Sequence, residues 1–209
     1  MIRTEDLRIH YNSGVNIHFP DLNCSSGSHW LVLGSSGSGK TSLLNILSGI
    51  RTPSQGKVWI NQRDIFDPKF SDRARWIASH LGFALQKPVF VSALSVRDNL
   101  TLCAKLSGKE IKEKEILLWL DKVGLGSKMN SYTFELSAGQ QQRLGFIRAC
   151  LHNPEILLAD EPSSALDDEN AENLIKLMID QSNELQSTLI VVSHDHRIKS
   201  FFQNQMVLS

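Results

Sequence analysis

Between positions 34 and 41 the chain reads Gly34-Ser35-Ser36-Gly37-Ser38-Gly39-Lys40-Thr41, an order of residue types that has a chemistry of its own. The segment fits the phosphate-binding loop pattern at every specified position: its glycines let the backbone curl until the N–H groups surround a phosphate. It is flanked by an apolar stretch at 30–33 and a helical pattern at 41–47, so the positive end of the helix dipole adds to those N–H groups. Lys40 is expected to hold the β- and γ-phosphates, Thr41 to offer its hydroxyl to Mg²⁺, and Ser42 to reach the α-phosphate. A flexible Gly/Ser linker is the alternative, but linkers rarely end in Gly-Lys-Thr at the mouth of a helix.

A second group lies far downstream. The run Ile156-Leu157-Leu158-Ala159-Asp160-Glu161 is an apolar strand ending on two carboxylates, at the sheet edge where ligands bind in folds of this kind. Asp160 is expected to hold Mg²⁺ through water and Glu161 to face the water that attacks a γ-phosphate. Alone, such a run is an ordinary strand end; beside the loop at Gly34 it makes a nucleoside-triphosphate hydrolysis site. Ser137 is a good N-cap for a helix reaching Arg148, which presents a hydroxyl and free N–H groups suited to an anion. His194-Asp195-His196 has the composition of a metal site, yet adjacent residues of an extended run point different ways and no third ligand accompanies them.

These groups need elements to position them. Leu7, Ile9 and Tyr11 alternate, as do Val15, Ile17 and Phe19, which predicts two half-exposed antiparallel strands joined by a turn at Asn12-Ser13-Gly14. Further strands are predicted at 57–60, 81–85, 156–159 and 188–192, and a long helix at 168–185. In the middle, Ser95 is the expected N-cap of a helix over 96–106, and Ile116, Leu117, Leu120 and Val123 fall on one face of another. Strands alternating with helices, several apolar throughout, predict an α/β fold with a parallel sheet covered on both faces.

Composition sets the outer limits. At 209 residues the chain has room for one core with at most a modest second lobe. Lys plus Arg and Asp plus Glu both number 22, so no global field draws the chain to nucleic acid, and none is expected as a partner. Cys24, Cys103 and Cys150 are scattered, as reduced thiols of a cytosolic protein would be. No run approaches the roughly 20 apolar residues of a membrane-spanning helix, so a membrane role would need a separate membrane protein.

Leu136-Ser137-Ala138-Gly139-Gln140, preceding the Asp160-Glu161 strand, resembles the signature of ABC transporter ATPases. The remaining elements of that family occur in order along essentially the whole chain. The resemblance implies that Gln86 senses Mg²⁺ and the attacking water and begins the segment facing a membrane partner. It implies that Ser164-Ala165-Leu166-Asp167 crosses a dimer interface, that His194 is the switch histidine at the γ-phosphate, and that Tyr11 stacks under adenine. Ser137 to Gln140 would then face the γ-phosphate of ATP held by the partner subunit. Gly34 to Lys40, Leu81-Gly82-Phe83 before Gln86, and Leu158 to Pro162 resemble the branch serving lipoprotein release, macrolide export and cell division. Ala138 replaces the commonest glycine, which is tolerable if its φ is negative.

The implied architecture is a phosphate-loop core (1–86 and 151–209), mostly parallel with an antiparallel N-terminal part, and an inserted helical lobe (87–150). The implied activity is ATP hydrolysis with Mg²⁺, energising a separate integral permease from the cytoplasmic face of the membrane. It would act as a homodimer, or as a heterodimer with a second ATPase subunit, through closure and opening on ATP, with Val89-Phe90-Val91 available to receive the permease. With the chain ending at Ser209, a fused C-terminal regulatory domain is not expected. A soluble ABC-type ATPase of cell division or iron–sulfur assembly shares every catalytic residue. A nucleotide-gated adaptor without turnover is opposed by Glu161 and His194, and a small-molecule kinase or GTPase has no use for residues 136–140.

Overall fold

In β1 (Ile2–His10) the residues Ile2, Thr4, Leu7 and Ile9 are buried, a pattern that changes phase midway. Asp6 takes φ 47° and the pairing register shifts between Glu5 and Arg8, a bulge that turns both halves of the strand inward. The computed structural model describes residues 2–11, 14–164 and 166–208; Asn12 and Ser13 of the expected turn, and Ala165, lie outside them. β1 pairs antiparallel with β2 (Asn16–His18), β3 (Asn23–Cys24) and β5 (Gln55–Ile60), and β5 with β6 (Arg63–Asp64). Ile9 faces Ile17 across the first pair. The second strand is shorter than its alternation predicts: Val15 is 52% exposed, while Phe19 is buried beyond the strand end with its N–H donated to Leu7 O.

Among the described residues a second sheet runs in the order β10 (Asn204–Leu208), β4 (His29–Gly34), β9 (Thr188–Ser193), β8 (Ile156–Asp160), β7 (Leu81–Ala84), with every neighbour parallel. β8 and β9 are buried at every position, as strands with both faces covered must be. Leu158, Ile190 and Val192 pack with Leu43, Leu44 and Leu47 of α1 (Lys40–Leu47) and with the antiparallel sheet. Leu157, Leu189 and Val191 face the other way, against Phe146 of α5 (Ala138–Cys150) and Leu174 and Met178 of α6 (Asp168–Glu184). The register sets Leu33 beside Ser193 and Asp160 beside Val192. The segments following Gly34, Asp160, Ser193 and Ala84 therefore leave from one edge of the sheet, its C-terminal edge.

α3 (Val96–Leu106) starts where Ser95 caps it, its Oγ accepting Asp98 N–H. With α4 (Glu113–Lys122) and α5 it encloses a separate apolar cluster around Leu100, Ile116, Leu120, Leu144 and Ile147. Leu117, expected on the buried face of α4, is 37% exposed; the stripe runs through Ile116, Leu120 and Val123, and Leu117 lies to one side of it. α2 (Arg73–His80) has no fully buried residue; Trp76 and Ile77 pack half-buried against the core that α1 shares with the antiparallel sheet, an apolar stripe too short for a sequence pattern to reveal.

Candidate active site

A cavity of about 570 Å³ opens at that C-terminal edge and is lined by Tyr11, the loop residues Ser36, Gly37, Gly39, Lys40, Thr41 and Ser42, and by Gln86, Glu161 and His194. Gly39 takes φ 94° at the N-cap of α1, and a Cβ there would sit 3.0 Å from Ile17 Cδ1. Gly34 is needed for closeness rather than conformation, since a Cβ would meet Ser38 Oγ at 2.3 Å. Ser38 Oγ is buried without a hydrogen-bond partner among the described residues, in the loop built to surround a polar group. Lys40, 7% exposed, donates from Nζ to Gly34 O (2.8 Å) and Ser35 O (2.9 Å), closing the loop over itself.

Asp160 and Glu161 are adjacent, and in an unbroken strand their side chains would diverge. Glu161 instead adopts φ 46°, a left-handed conformation that a non-glycine residue holds only under firm constraint. Its N–H donates to Val192 O at 2.9 Å. Oε2 accepts from Ser193 Oγ (2.9 Å) and His194 N–H (3.1 Å) and lies 2.9 Å from His194 Nδ1, while Oε1 is 3.4 Å from Lys40 Nζ. Burial pushes the Glu161 carboxyl up, but the bonds from His194 and Ser193 outweigh it and hold it below its usual value. An ionised carboxylate is thus aimed into the cavity.

Asp160 behaves oppositely. Burial raises its carboxyl above the ordinary range, partly offset by Thr41 Oγ1, 3.4 Å from Oδ1, and the charge of Glu161 pushes it the same way as burial. A desolvated acid beside a hydroxyl and a second carboxylate is a donor set that fits a hard divalent cation, and Mg²⁺ in particular is held by one or two carboxylates together with phosphate oxygens.

Tyr11 Oη lies 2.5 Å from Ser42 Oγ, and the Arg51 guanidinium covers its ring at 4.2 Å from the centroid. The ring is held at these two points. The Ser42 hydroxyl expected at an α-phosphate is engaged with this tyrosine.

Ser137, Ala138, Gly139 and Gln140 do not line this cavity. Ser137 and Ala138 are exposed, and Ser137 Oγ and Gln140 N–H, like Gln140 Oε1 and Ser137 N–H, pair with each other in a closed capping box. Ala138 is the first helical residue and is not among those with positive φ, so its methyl group brings no backbone strain. Ser164 donates from Oγ to Glu161 O, and Asp167, exposed, caps α6 by accepting Asn170 N–H.

Asp195 lies outside every expected role but not outside the network. Its carboxylate accepts from Ser163 Oγ (2.8 Å), Arg197 Nε (2.8 Å) and Arg197 Nη2 (2.7 Å), and Arg197 also holds Asp168. The Arg197 bonds lead, against burial and with help from Ser163, in holding its pKa at about 2. A depressed folded-state pKa means that this stabilisation is complete above the unfolded value of about 4 and is lost as pH falls towards about 2. Asp195→Asn is expected to lower the melting temperature at neutral pH, with the gap from the wild type closing between about pH 4 and about pH 2. Melting curves across that range check it, and a pH-independent gap would refute it.

The parallel sheet, the glycine loop before α1 and the carboxylates at the end of β8 together define a phosphate-loop ATPase. The family described as ABC transporter matches residues 17–164, and the chain belongs to it. It is 36% identical over 178 residues to the "Lipoprotein-releasing system ATP-binding protein LolD" of Saccharophagus degradans (strain 2-40), covering 84% of this chain and 78% of that one. To the "ABC transporter ATP-binding protein YtrE" of Bacillus subtilis (strain 168) it is 32% identical, covering 90% and 82%. Among solved structures, the dimeric ATP-binding cassette MJ0796 in its post-hydrolysis state, bound to ADP and Pi, superposes with a TM-score of 0.89 at 28% identity over 100% of this chain and 94% of that one. Among the described residues no helix is long and apolar enough to cross a membrane.

Proposed function

We propose that this chain is the ATP-hydrolysing subunit of a transporter, working in pairs against a separate integral permease. The observation that carries the reading is the split site. Lys40, Thr41, Asp160, Glu161, Gln86 and His194 converge on one edge, whereas the exposed helix end at Ser137 takes no part in the cavity. Two copies, or this chain and a second ATPase subunit, arranged head to tail would bring Ser137 to Gln140 of each to the phosphates on the other. Ser164 and Asp167 would then lie at the interface.

ATP would stack its adenine on Tyr11 and lay its phosphates in the loop 34–42, with Lys40 at the β- and γ-groups. Thr41, Asp160 and Gln86 would hold Mg²⁺, which would supply charge neutralisation at the phosphates. Glu161 accepts the proton of the attacking water, and His194, 2.9 Å from it, holds both in line. The core (1–86, 151–209) and the helical lobe (87–150) carry the two halves of the composite site. Val89 and Val91, 67% and 47% exposed just after Gln86, are a surface for the permease at the cytoplasmic face. Relatives described as lipoprotein-releasing and macrolide-export proteins support the transport assignment.

Complementation tests the split site. Lys40→Ala and Ser137→Arg chains are each expected to be inactive, and an equal mixture to recover about a quarter of the wild-type rate, because half the dimers are mixed and each has one intact site. No recovery sinks the proposal, as does full activity of the Ser137→Arg chain. Recovery of a polytopic protein with the tagged chain from membranes separates transport from a soluble role.

A further inference from the structure

Gln142 lies on α5, beyond the residues given a part in the chemistry, and its side chain is buried. From the one Nε2 it donates to Gln86 O at 3.1 Å and to Pro162 O at 3.2 Å. The first carbonyl belongs to the segment that follows β7 and lines the cavity, and the second to the residue immediately after Glu161. α5 itself is capped by Ser137. One amide therefore joins three segments, each carrying a piece of the proposed site.

An amide NH₂ has two protons, so both bonds can be made together, and the carbonyls they satisfy lie outside any strand or helix ladder. The partners are 56 and 20 residues away in the sequence, so the two bonds join segments that the chain itself does not hold together. The second bond falls at a sensitive place. Glu161 sits at φ 46°, and such a conformation persists only when its surroundings over-determine it. Its N–H is tied to Val192 O and the next carbonyl to Gln142, with Ser163 then fixed to Asp195. Without Gln142 the turn keeps its ties to β9 and the segment after it, to Ser164 and to Lys40, but loses its one tie to α5.

We infer that Gln142 is a positioning residue for ATP hydrolysis, its amide tying the helix that begins at Ser137 to the Gln86 segment and to the turn that aims Glu161. A displacement of any one of the three is then carried to the other two. The inference rests on the roles proposed above for Gln86 and Glu161.

Gln142→Met keeps the length and the packing and removes both donors. Its kcat for ATP is expected to fall by about 10-fold or more, as displaced catalytic groups do, with KM within about two-fold of wild type. Amide hydrogen exchange should quicken together at 85–88 and 161–164 while β4 stays protected. An unchanged kcat per folded molecule, or faster exchange at only one of the two segments, overturns the inference; a packing role would lower the melting temperature alone. Glu161→Gln run in parallel separates the failures. Turnover surviving in that variant removes the role given to Glu161, whereas turnover lost there and untouched in Gln142→Met removes only the link.

Discussion

Glu161→Gln is expected to lower kcat by about 10³-fold, within the range by which a general base contributes, while ATP still binds. The carboxylate accepts Ser193 Oγ and His194 N–H on one oxygen and faces Lys40 with the other. An amide keeps the shape and one acceptor, so the left-handed turn at Glu161 should survive, but it has no basic oxygen to take a proton from water. It also removes the negative charge 3.4 Å from Lys40 Nζ, which frees that cation for phosphate and should hold or tighten nucleotide affinity. Bound ATP that cannot be cleaved would accumulate the paired form. Phosphate release and size-exclusion chromatography with and without ATP measure the two halves of the expectation. A variant retaining even a tenth of the wild-type rate would show that another group moves the proton.

What the sequence revealed and what it hid divide along a physical line. The loop 34–41, the Ser95 and Ser137 caps and the apolar strands predicted at 156–159 and 188–192 were legible, because each is a local pattern whose physics is complete within a few residues. The turn at Glu161 was not. Alternation in a strand would separate Asp160 from Glu161, and only the positive φ, enforced by ties to β9 and Gln142, brings both to one site. Asp195 was visible only as a rejected metal ligand, since its partners Ser163 and Arg197 gain meaning when β9 is laid beside β8. Arg51 behind Tyr11 and the two-sided reach of Gln142 are likewise products of tertiary packing. Periodicity failed at its own limits: the inward face of α2 is only half-buried and rests on Trp76 and Ile77, and the stripe of α4 leaves Leu117 out. Resemblance to a family filled the order of the motifs; it did not supply the bonds that hold them.

Lys40→Ala is expected to weaken ATP binding by about 100-fold or more and to abolish turnover, because two losses coincide at one atom. Nζ is the cation that phosphate oxygens would meet, and it also bonds Gly34 O and Ser35 O, holding the loop in its curled form. Alanine removes the charge and the latch together. The effect extends to Glu161: with the lysine gone, a buried carboxylate loses a cation at 3.4 Å. His194 and Ser193 still bond it, so the fold should persist and the loss should be confined to nucleotide chemistry. Lys40→Arg is not a rescue, since a planar guanidinium cannot occupy the space between two backbone carbonyls that a single ammonium fills. Titration with a fluorescent ATP analogue, alongside melting curves to confirm folding, reads the result. Binding within a few-fold of wild type would mean that the loop amides alone retain the phosphates and that Lys40 serves only its contacts within the protein, to Gly34 O, Ser35 O and Glu161.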